Sequence, residues 1–420
     1  MKPVKLLKTV SKKYAKESAD SAFELSHRKH VADYSKKLAK SRHLDSKLAL
    51  LIAYGHDLGR TKEGFIGKGH ALAGSNFCSS LLKNETHLSN KKIKKVAKAI
   101  SLHSKKKIID DSYCELIKDA DSLAHYKEGL ISEDDWAELY RVYASKIDSI
   151  DIKVSPIDNW HEVWKNNLES LLEDSDSQDI YSPSWVHKKR IAIRQLKIIN
   201  KYFIKLDKRN KEFLKSLNSL LNTYFHSLEN PRKYFVLTEF VKSLNLDLEE
   251  LQLLLEGDLA ESTQEIEIIL KDNDVYNKLA HLIEISTEKL YLPSDKIIKK
   301  YKLDAIWTKD YKNLIDIIAN SENESNYDFH DARIIGKKFK YLYDLNLIDF
   351  SSKHLYKSIA DFHKASGDLH DIDDLYNYLN NYLDSELNID ELFLSMNHEE
   401  EALYEKCSRV IFFYKLLKKN

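Results

Sequence analysis

Residues that interrupt helices are scarce along this chain, which has ten glycines and five prolines in 420 residues. Long stretches contain neither residue, and in most of them apolar side chains recur at steps of three and four residues. This spacing places apolar side chains on one face of an α-helix, because the helix has about 3.6 residues per turn. The sequence therefore predicts an all-α fold.

Breaks in this pattern indicate how the chain is divided. Polar or proline-bearing segments occur at residues 149–160, 173–184 and 206–212. A single core rarely grows beyond about 250 residues, so a chain of this length is expected to form two domains. We place the boundary near residue 208, which predicts a helical bundle over residues 1–208 and a second helical domain over residues 209–420.

The two predicted halves differ in charge. Residues 1–210 hold 40 Lys and Arg against 28 Asp and Glu, whereas residues 211–420 hold 26 against 38. A basic first half attracts phosphate-bearing ligands. The acidic second half opposes nucleic-acid binding and is suited to binding a protein, to self-association or to docking on the basic half; the alternative is that its charges only solvate helix surfaces.

Several classes of protein are disfavoured by what the sequence lacks. Three cysteines without CxxC spacing suggest neither a disulfide framework nor a thiolate metal site. No apolar run approaches the roughly 18 to 20 residues of a membrane span, and the lysine-rich beginning is unlike a secretory signal. We therefore expect a cytoplasmic protein without a membrane partner.

Six of the ten glycines fall within residues 55–74, GHDLGRTKEGFIGKGHALAG. Glycine permits sharp turns and close backbone approach, so this density predicts a shaped loop. The loop follows an apolar helix that ends with His56 and Asp57, and it leads into a helix headed by His70. We expect the loop to cross the mouth of a functional site.

Side chains that can bind metals occur on the apolar faces of five consecutive predicted helices. They are His27, the pair His56 and Asp57, His70, His103 and Asp121. Burying an imidazole or carboxylate without a partner costs several kcal/mol, and convergence on one or two cations removes that cost. For any one of them alone, a core side chain with a single hydrogen bond is the alternative. His30, Asp119 and His125 lie beside this set rather than in it, and Asp119 points roughly 200° away from Asp121.

The order of these residues resembles the HD superfamily of metal-dependent phosphohydrolases. The segments HRKHVADYSKKLA, LIAYGHDLGR and IKDADSLAHY resemble the helices that carry its first, central and last ligands, over about residues 20–130. Residues 182–203 resemble, more weakly, a closing helix of some small members. Beyond residue 208 no resemblance is apparent.

The resemblance implies a helical core that binds one metal through His27, His56, Asp57 and Asp121. In members with further histidines at positions like His70 and His103 it implies a second metal, with the aspartate of the HD pair as the bridge. The short spacing from His56 to His70 leaves open whether His70 is a ligand. Imidazole and carboxylate ligands suit iron or manganese, which we favour, and also zinc, nickel or cobalt.

The resemblance also implies a reaction. Two metals about 3.5 to 4 Å apart can hold a hydroxide nucleophile and neutralise phosphoryl oxygens, so the expected reaction is hydrolysis of a phosphate ester or anhydride. Leu58, Gly59 and Arg60 follow the HD pair where guanosine tetraphosphate hydrolases carry an acidic pair, and no glycine-tyrosine-proline signature of cyclic di-guanylate enzymes follows. The pattern most resembles the branch that cleaves dinucleoside tetraphosphates. We expect a nucleotide or another phosphorylated small molecule as the substrate.

Basic residues near the ligands are candidates for binding the substrate phosphates. With Asp57 as the catalytic carboxylate, we assign Arg60, Lys62 and Lys68 to stabilising the developing phosphoryl charge. Lys105, Lys106 and Lys107 follow His103 and could act in the same way. The alternative for each of them is a solvated surface side chain.

Two other functions remain open from the sequence. The same metal core could serve a nuclease for single-stranded nucleic acid, which would need aromatic stacking residues; Tyr113 and Tyr126 are the aromatics available between residues 95 and 126. A scaffold protein could instead keep the metal for structure. The further HD dipeptides at residues 330–331 and 370–371 are interpreted as structural, the latter pair at the start of a helix.

Overall fold

The structure is a computed structural model, and it describes residues 2–63, 69–172, 180–244, 246–292, 303–321, 329–380 and 390–419. Most of these residues are helical, which confirms the all-α prediction. Two strands of three residues each accompany the helices in the described ranges. No described helix has both the length and the apolar character that crossing a bilayer requires.

The chain divides into two compact units. The N-terminal unit comprises residues 1–148 together with residues 409–420, and the second unit comprises residues 149–408. This division falls about sixty residues before the predicted boundary near residue 208 and returns the end of the chain to the first unit. The division into a helical bundle over residues 1–208 and a second helical domain over residues 209–420 remains a prediction.

The helices of the N-terminal unit follow one another through short connections. They are α1 (Pro3–Glu17), α2 (Ser21–Ser41), α3 (Ser46–Gly55), α4 (Leu58–Glu63), α5 (His70–Glu85), α6 (Asn90–Leu102), α7 (Ser112–Lys127) and α8 (Trp136–Ser145). The aspartates Asp20, Asp45 and Asp111 begin three of them by accepting hydrogen bonds from backbone N–H groups of the first turn.

The second unit begins with a short strand and continues as helices. Its elements are β1 (Ile152–Val154), α9 (Ile157–Ser170), α10 (Pro183–Leu206), a 3₁₀ turn (Lys208–Asn210), α11 (Lys211–Ser227), α12 (Glu229–Ser243), α13 (Glu249–Asp272), α14 (Val275–Lys289), α15 (Leu303–Asn320), α16 (His330–Asp344), β2 (Ile348–Phe350), α17 (Lys353–Leu379) and α18 (Asp390–Lys419). The strands pair antiparallel, with Ile152 opposite Phe350. The last turns of α18 belong to the N-terminal unit.

The core of the N-terminal unit is formed by the inward faces of α2, α3, α5, α6 and α7. Val31, Ile52, Ile100 and Ile117 are fully buried in it. These are the apolar stripes that the sequence pattern predicts, and each of them continues toward a histidine or an aspartate.

The C-terminal residues complete this unit. The Phe412 ring packs edge-on against Trp136, with ring centroids 5.5 Å apart, and lies 5.4 Å from the Arg141 guanidinium carbon. Sequence reasoning placed these residues in the acidic half, because only tertiary packing joins two segments that are about 270 residues apart.

The glycine-rich segment is partly helical, which corrects the expectation of a continuous loop. Residues 58–63 form α4, and residues 64–68, which include Gly64, Gly67 and Lys68, lie outside the described residues. A Cβ atom on Gly59 would come within 2.1 Å of the His70 carbonyl oxygen. Gly59 therefore allows α4 and α5 to pack backbone to backbone, rather than leaving space for a phosphate. Gly69 has a φ of +133°, a conformation that favours glycine.

A second correction concerns the dipeptide His370–Asp371. It lies deep within α17, not at a helix start. Gly367 does not end the helix, because Leu369 and Ile372 continue its buried face through this point, and packing outweighs the roughly 1 kcal/mol that glycine costs in a helix.

Candidate metal centre

The six side chains proposed as ligands come together at one end of the helices of the N-terminal unit. His27 lies in the second turn of α2, and His56 and Asp57 follow the last residue of α3. His70 is the first residue of α5, His103 follows α6, and Asp121 lies within α7. Each position is at or near the end of an apolar stripe, so packing of the stripes brings the polar side chains together.

Four of these residues surround one point. His27 Nε2 lies 3.1 Å from Asp121 Oδ1 and 3.4 Å from His56 Nε2. His56 Nε2 lies 3.3 Å from Asp57 Oδ2. Ligand atoms about 2.0 to 2.2 Å from a common cation are about 2.8 to 3.6 Å apart. The three distances above fall in this range, and those from His56 Nε2 to Asp121 Oδ1 and from His27 Nε2 to Asp57 Oδ2 are slightly longer, at 3.7 Å and 3.8 Å. The group therefore has nearly the spacing of a metal-binding set.

A second group lies on the other side of Asp57. His70 Nε2 and His103 Nε2 are 3.1 Å apart, and they lie 3.7 Å and 3.5 Å from Asp57 Oδ1. Asp57 thus turns Oδ2 toward His56 and Oδ1 toward His70 and His103. The structure brings His70 into the cluster, although the spacing in the sequence left its position open.

Hydrogen bonds fix the tautomers of three histidines. The Nδ1–H of His56 donates to the Ala53 carbonyl at 2.8 Å, and that of His103 donates to the Ile100 carbonyl at 2.7 Å. His27 Nδ1 donates to Glu128 Oε2 at 2.8 Å. A carbonyl or carboxylate oxygen only accepts, so in the neutral rings the lone pair is on Nε2 and faces the cluster. This arrangement is typical of imidazoles that bind metals.

Asp121 shows the same fit to a cation. Its Oδ2 accepts a hydrogen bond from Lys106 Nζ at 2.7 Å, whereas its Oδ1 is buried and accepts none within the described part of the chain. A buried carboxylate oxygen without a partner costs free energy. A cation held with His27 and His56 would satisfy it, so the residues present fit one or two metal ions.

The pKa values indicate that the cluster requires positive charge. Burial lowers the pKa of His27, but the hydrogen bonds and charges of Asp121 and Glu128 have the larger, opposite effect and raise the pKa to about 10. Burial raises the pKa of Asp57, yet His56, His103 and Arg60 bring it well below the usual range. Either bound protons or metal cations can supply the charge that these carboxylates stabilise.

The proposed phosphate-binding residues occupy different surroundings. Arg60 Nη2 donates to Asp57 Oδ2 at 2.5 Å and to Glu24 Oε2 at 3.2 Å. Lys62 is exposed and lies 4.7 Å from the centre of the Phe77 ring. Lys68 is outside the described residues. Arg60 therefore joins the cluster directly, whereas Lys62 stands at its periphery.

Sequence reasoning missed the carboxylates that hold the histidines. Glu128 accepts from His27 and also from His30, at 2.8 Å each, and Glu138 accepts from His125 Nδ1 at 2.9 Å. His125 Nε2 then lies 3.6 Å from Asp121 Oδ1. The position of Glu128 two turns after Asp121 is a local signal, but its pairing with residues about 100 positions earlier is not.

Asp119 serves a different network. It accepts from Arg42 and Arg141 at 2.8 Å each, on the side of α7 away from the histidines. Arg141 also donates to Glu115 at 2.8 Å. The predicted orientation of Asp119 away from Asp121 agrees with these contacts.

Comparison with protein-family models matches residues 25–125 to the HD domain. Over this segment the chain matches the HD domain, which confirms the resemblance, and no family model matches the C-terminal half. Comparison with curated proteins and with solved structures finds no match. HD domains form a superfamily of metal-dependent phosphohydrolases, and the matched segment contains all six candidate ligands.

Proposed function

We propose that the N-terminal unit is a metal-dependent phosphohydrolase that cleaves a phosphate ester or anhydride of a nucleotide. The observation that carries this proposal is the orientation of Asp57, whose two carboxylate oxygens face two separate groups of histidines. A carboxylate in that position can bridge two cations.

Each group of residues has a part in holding the cations. His27, His56 and Asp121 would hold one divalent ion and His70 and His103 the other, with Asp57 shared between them. Such ions act as Lewis acids toward phosphoryl oxygens and lower the pKa of water. Iron or manganese suits these nitrogen and oxygen ligands, and zinc, nickel or cobalt would also be accepted.

The protein side chains orient the carboxylates and the substrate. Lys106 holds Asp121, and Arg60 holds Asp57 and Glu24. The Arg60 side chain is one third exposed, so its guanidinium can also donate to a phosphate at the edge of the site. Lys62 and Lys68 are proposed to add positive charge on the same side.

Burial indicates the side from which a substrate enters. The His27 side chain is 1% exposed and the His70 side chain 19%. Beside His27 and His56 lies a cavity of about 20 Å³, which is room for about one water molecule. A nucleotide therefore has to approach from the side of His70 and Arg60.

The alternative nuclease function receives less support. The Tyr113 hydroxyl accepts a hydrogen bond from the Asp45 backbone at 2.9 Å, and Lys95 lies over its ring. Of the two aromatic residues considered for stacking bases, Tyr113 is thus committed to packing.

The three cysteines are buried and unpaired, which supports placing the enzyme in a reducing cytoplasm.

The proposal is tested with Asp57→Asn, which keeps the shape of the side chain and removes its charge. We expect wild-type protein purified without chelator to contain metal and to hydrolyse bis(p-nitrophenyl) phosphate or nucleotide anhydrides. The variant should lose about 10³-fold or more in turnover, since it disrupts both cation positions. Metal content is measured by elemental analysis and hydrolysis by release of nitrophenol or phosphate.

Asp331→Asn is the matched control, because Asp331 follows a histidine in the same dipeptide but is exposed on α16. It should retain metal and activity. Unchanged hydrolysis in Asp57→Asn would overturn the proposal. Loss of folding together with metal, seen by circular dichroism, would indicate a structural metal instead.

A further inference from the structure

The second unit contains five basic side chains that lie on neighbouring helix faces. We call them the arginine cluster: Arg190 and Arg194 of α10, Arg232 of α12, and Arg333 and Lys337 of α16. Helix α10 packs against both α12 and α16. The pairs 190/194 and 333/337 are each one helical turn apart, so each pair shares a helix face.

Two arginines of the cluster are held by one aromatic ring. The guanidinium carbons of Arg190 and Arg194 lie 4.1 Å and 5.1 Å from the centre of the Phe225 ring. Arg190 Nη1 also donates to the Leu228 carbonyl at 2.9 Å, and this side chain is 9% exposed. These contacts hold the guanidinium groups in place without neutralising them.

The other members of the cluster are close enough to influence one another electrostatically. Burial lowers the pKa of Lys337, and Arg194, Arg333 and Arg190 lower it further, to about 7. Burial and Asp371 act in opposite directions on Arg333 and on Arg232, and the pKa of each falls. Five cations thus share one partly buried region.

Negative charge in this region is insufficient to balance them. In the part of the chain that the structure describes, none of the five forms a salt bridge with a carboxylate. Three acids of the described chain act on the cluster at longer range: Asp371 on Arg232, Arg333 and Lys337, Asp374 on Arg333, and Glu229 on Arg190. Burial raises the pKa of Asp371 itself.

A neighbouring histidine also has a buried polar atom without a hydrogen-bond partner among the described residues, and this atom is His363 Nε2 on α17. Burial, together with Lys337 and Arg333, lowers the pKa of His363 to about 4. The imidazole is therefore neutral near pH 7 and can donate one N–H without adding charge.

We propose that the arginine cluster binds the phosphate groups of a small phosphorylated ligand, at a site formed by the second unit alone. Guanidinium groups bind phosphate oxygens in pairs of parallel hydrogen bonds. Partly buried cations without counter-charges are unfavourable, and a bound polyphosphate would supply those charges. A compact, partly buried cluster surrounded by an acidic half fits a small anion better than a nucleic acid, whose backbone that half would repel.

The experiment uses tripolyphosphate and the full-length protein with EDTA present, so that the metal centre contributes neither binding by cations nor hydrolysis. Isothermal titration calorimetry is expected to show binding by the wild type. Lys337→Met and Arg194→Gln should each weaken it by about tenfold or more, since each removes a charged hydrogen-bond donor. Lys215→Met, an exposed lysine of the same unit, should bind as the wild type does.

A second readout separates binding from folding. Without anion, Lys337→Met should melt at or above the temperature of the wild type, because it removes a repelled charge; addition of tripolyphosphate should raise the melting temperature of the wild type more. The proposal is overturned if the wild type does not bind tripolyphosphate, or if both cluster variants bind it like the control. Because the metal centre is inactive in EDTA, this result is independent of the proposed hydrolase.

Discussion

The candidate metal centre and the arginine cluster both concentrate ionisable groups in a partly buried region, but the first lacks positive charge and the second lacks negative charge. Around Asp57 and Asp121, carboxylate oxygens and imidazole lone pairs converge, and the chemistry they suit is that of cations. In the second unit, guanidinium and ammonium groups converge, and the chemistry they suit is that of anions. The sign of the uncompensated charge thus indicates the class of ligand that each cluster can bind.

A third site contains a buried cation whose hydrogen-bonding partners are supplied by the protein itself. Arg141 is fully buried, and it donates to Glu115 and Asp119 at 2.8 Å each and to two backbone carbonyls. Lys337 forms no such contacts among the described residues. The difference teaches that burial of a basic residue points to a ligand only where its hydrogen-bonding partners are incomplete.

The largest expected effect tests this contrast directly. Arg141→Met should lower the free energy of unfolding by about 3 to 5 kcal/mol, because it removes one cationic partner from each of two buried carboxylates, which keep only Lys118 and Arg42 among the described residues. Urea denaturation of the variant and of Lys337→Met provides the comparison. Equal destabilisation by both substitutions would contradict the distinction between satisfied and unsatisfied cations.

An intermediate effect is expected at the carboxylate that orients His27. Glu128→Ala removes the acceptor that holds the proton on Nδ1, so metal affinity should fall by about 10- to 100-fold. Competition with a chromophoric chelator measures it. Glu133→Ala, at an exposed position nearby, serves as the control, and an affinity equal to the wild type in Glu128→Ala would show that His27 does not depend on Glu128.

A dependence of stability on pH is also expected in the arginine cluster. Burial and the nearby arginines lower the pKa of Lys337 from 10.5 to about 7 in the folded protein. The unfolded chain therefore binds more protons between these values, and the contribution of Lys337 to stability rises as the pH increases through that window. Below about pH 7, Lys337 is charged in the folded protein, and its burial lowers the free energy of unfolding by the full amount.

Lys337→Met should remove this contribution. The free energy of unfolding of the wild type, measured by urea denaturation between about pH 7 and about pH 10, should increase relative to that of the variant. Parallel curves for the two proteins would mean that Lys337 keeps an ordinary pKa and that the cluster is more solvated than its burial suggests.

Much of the N-terminal unit could be predicted from the sequence. The apolar stripes of α2, α5 and α7 are local patterns of period 3.6, and they place His27, His70 and Asp121 on inward faces without knowledge of any partner. The resemblance to the HD superfamily rests on the same local segments, and the match over residues 25–125 confirms it.

Other features depended on contacts between distant segments. Phe412 packs beside Arg141, and Glu128 reaches His27 and His30, yet nothing in the spacing of these residues relates one to the other. The helix that runs through Gly367 was likewise missed, because packing of its buried face outweighs the local preference of glycine.

The sequence by itself determined the helical class, the inward faces and the identity of the candidate ligands, because side-chain periodicity and residue chemistry are local properties. Tertiary structure alone decided that Asp57 presents its two oxygens to different histidines, that the end of the chain completes the first unit, and that five basic residues of three helices share one region. These depend on how helices far apart in the chain pack together, and a single sequence carries no direct record of that packing.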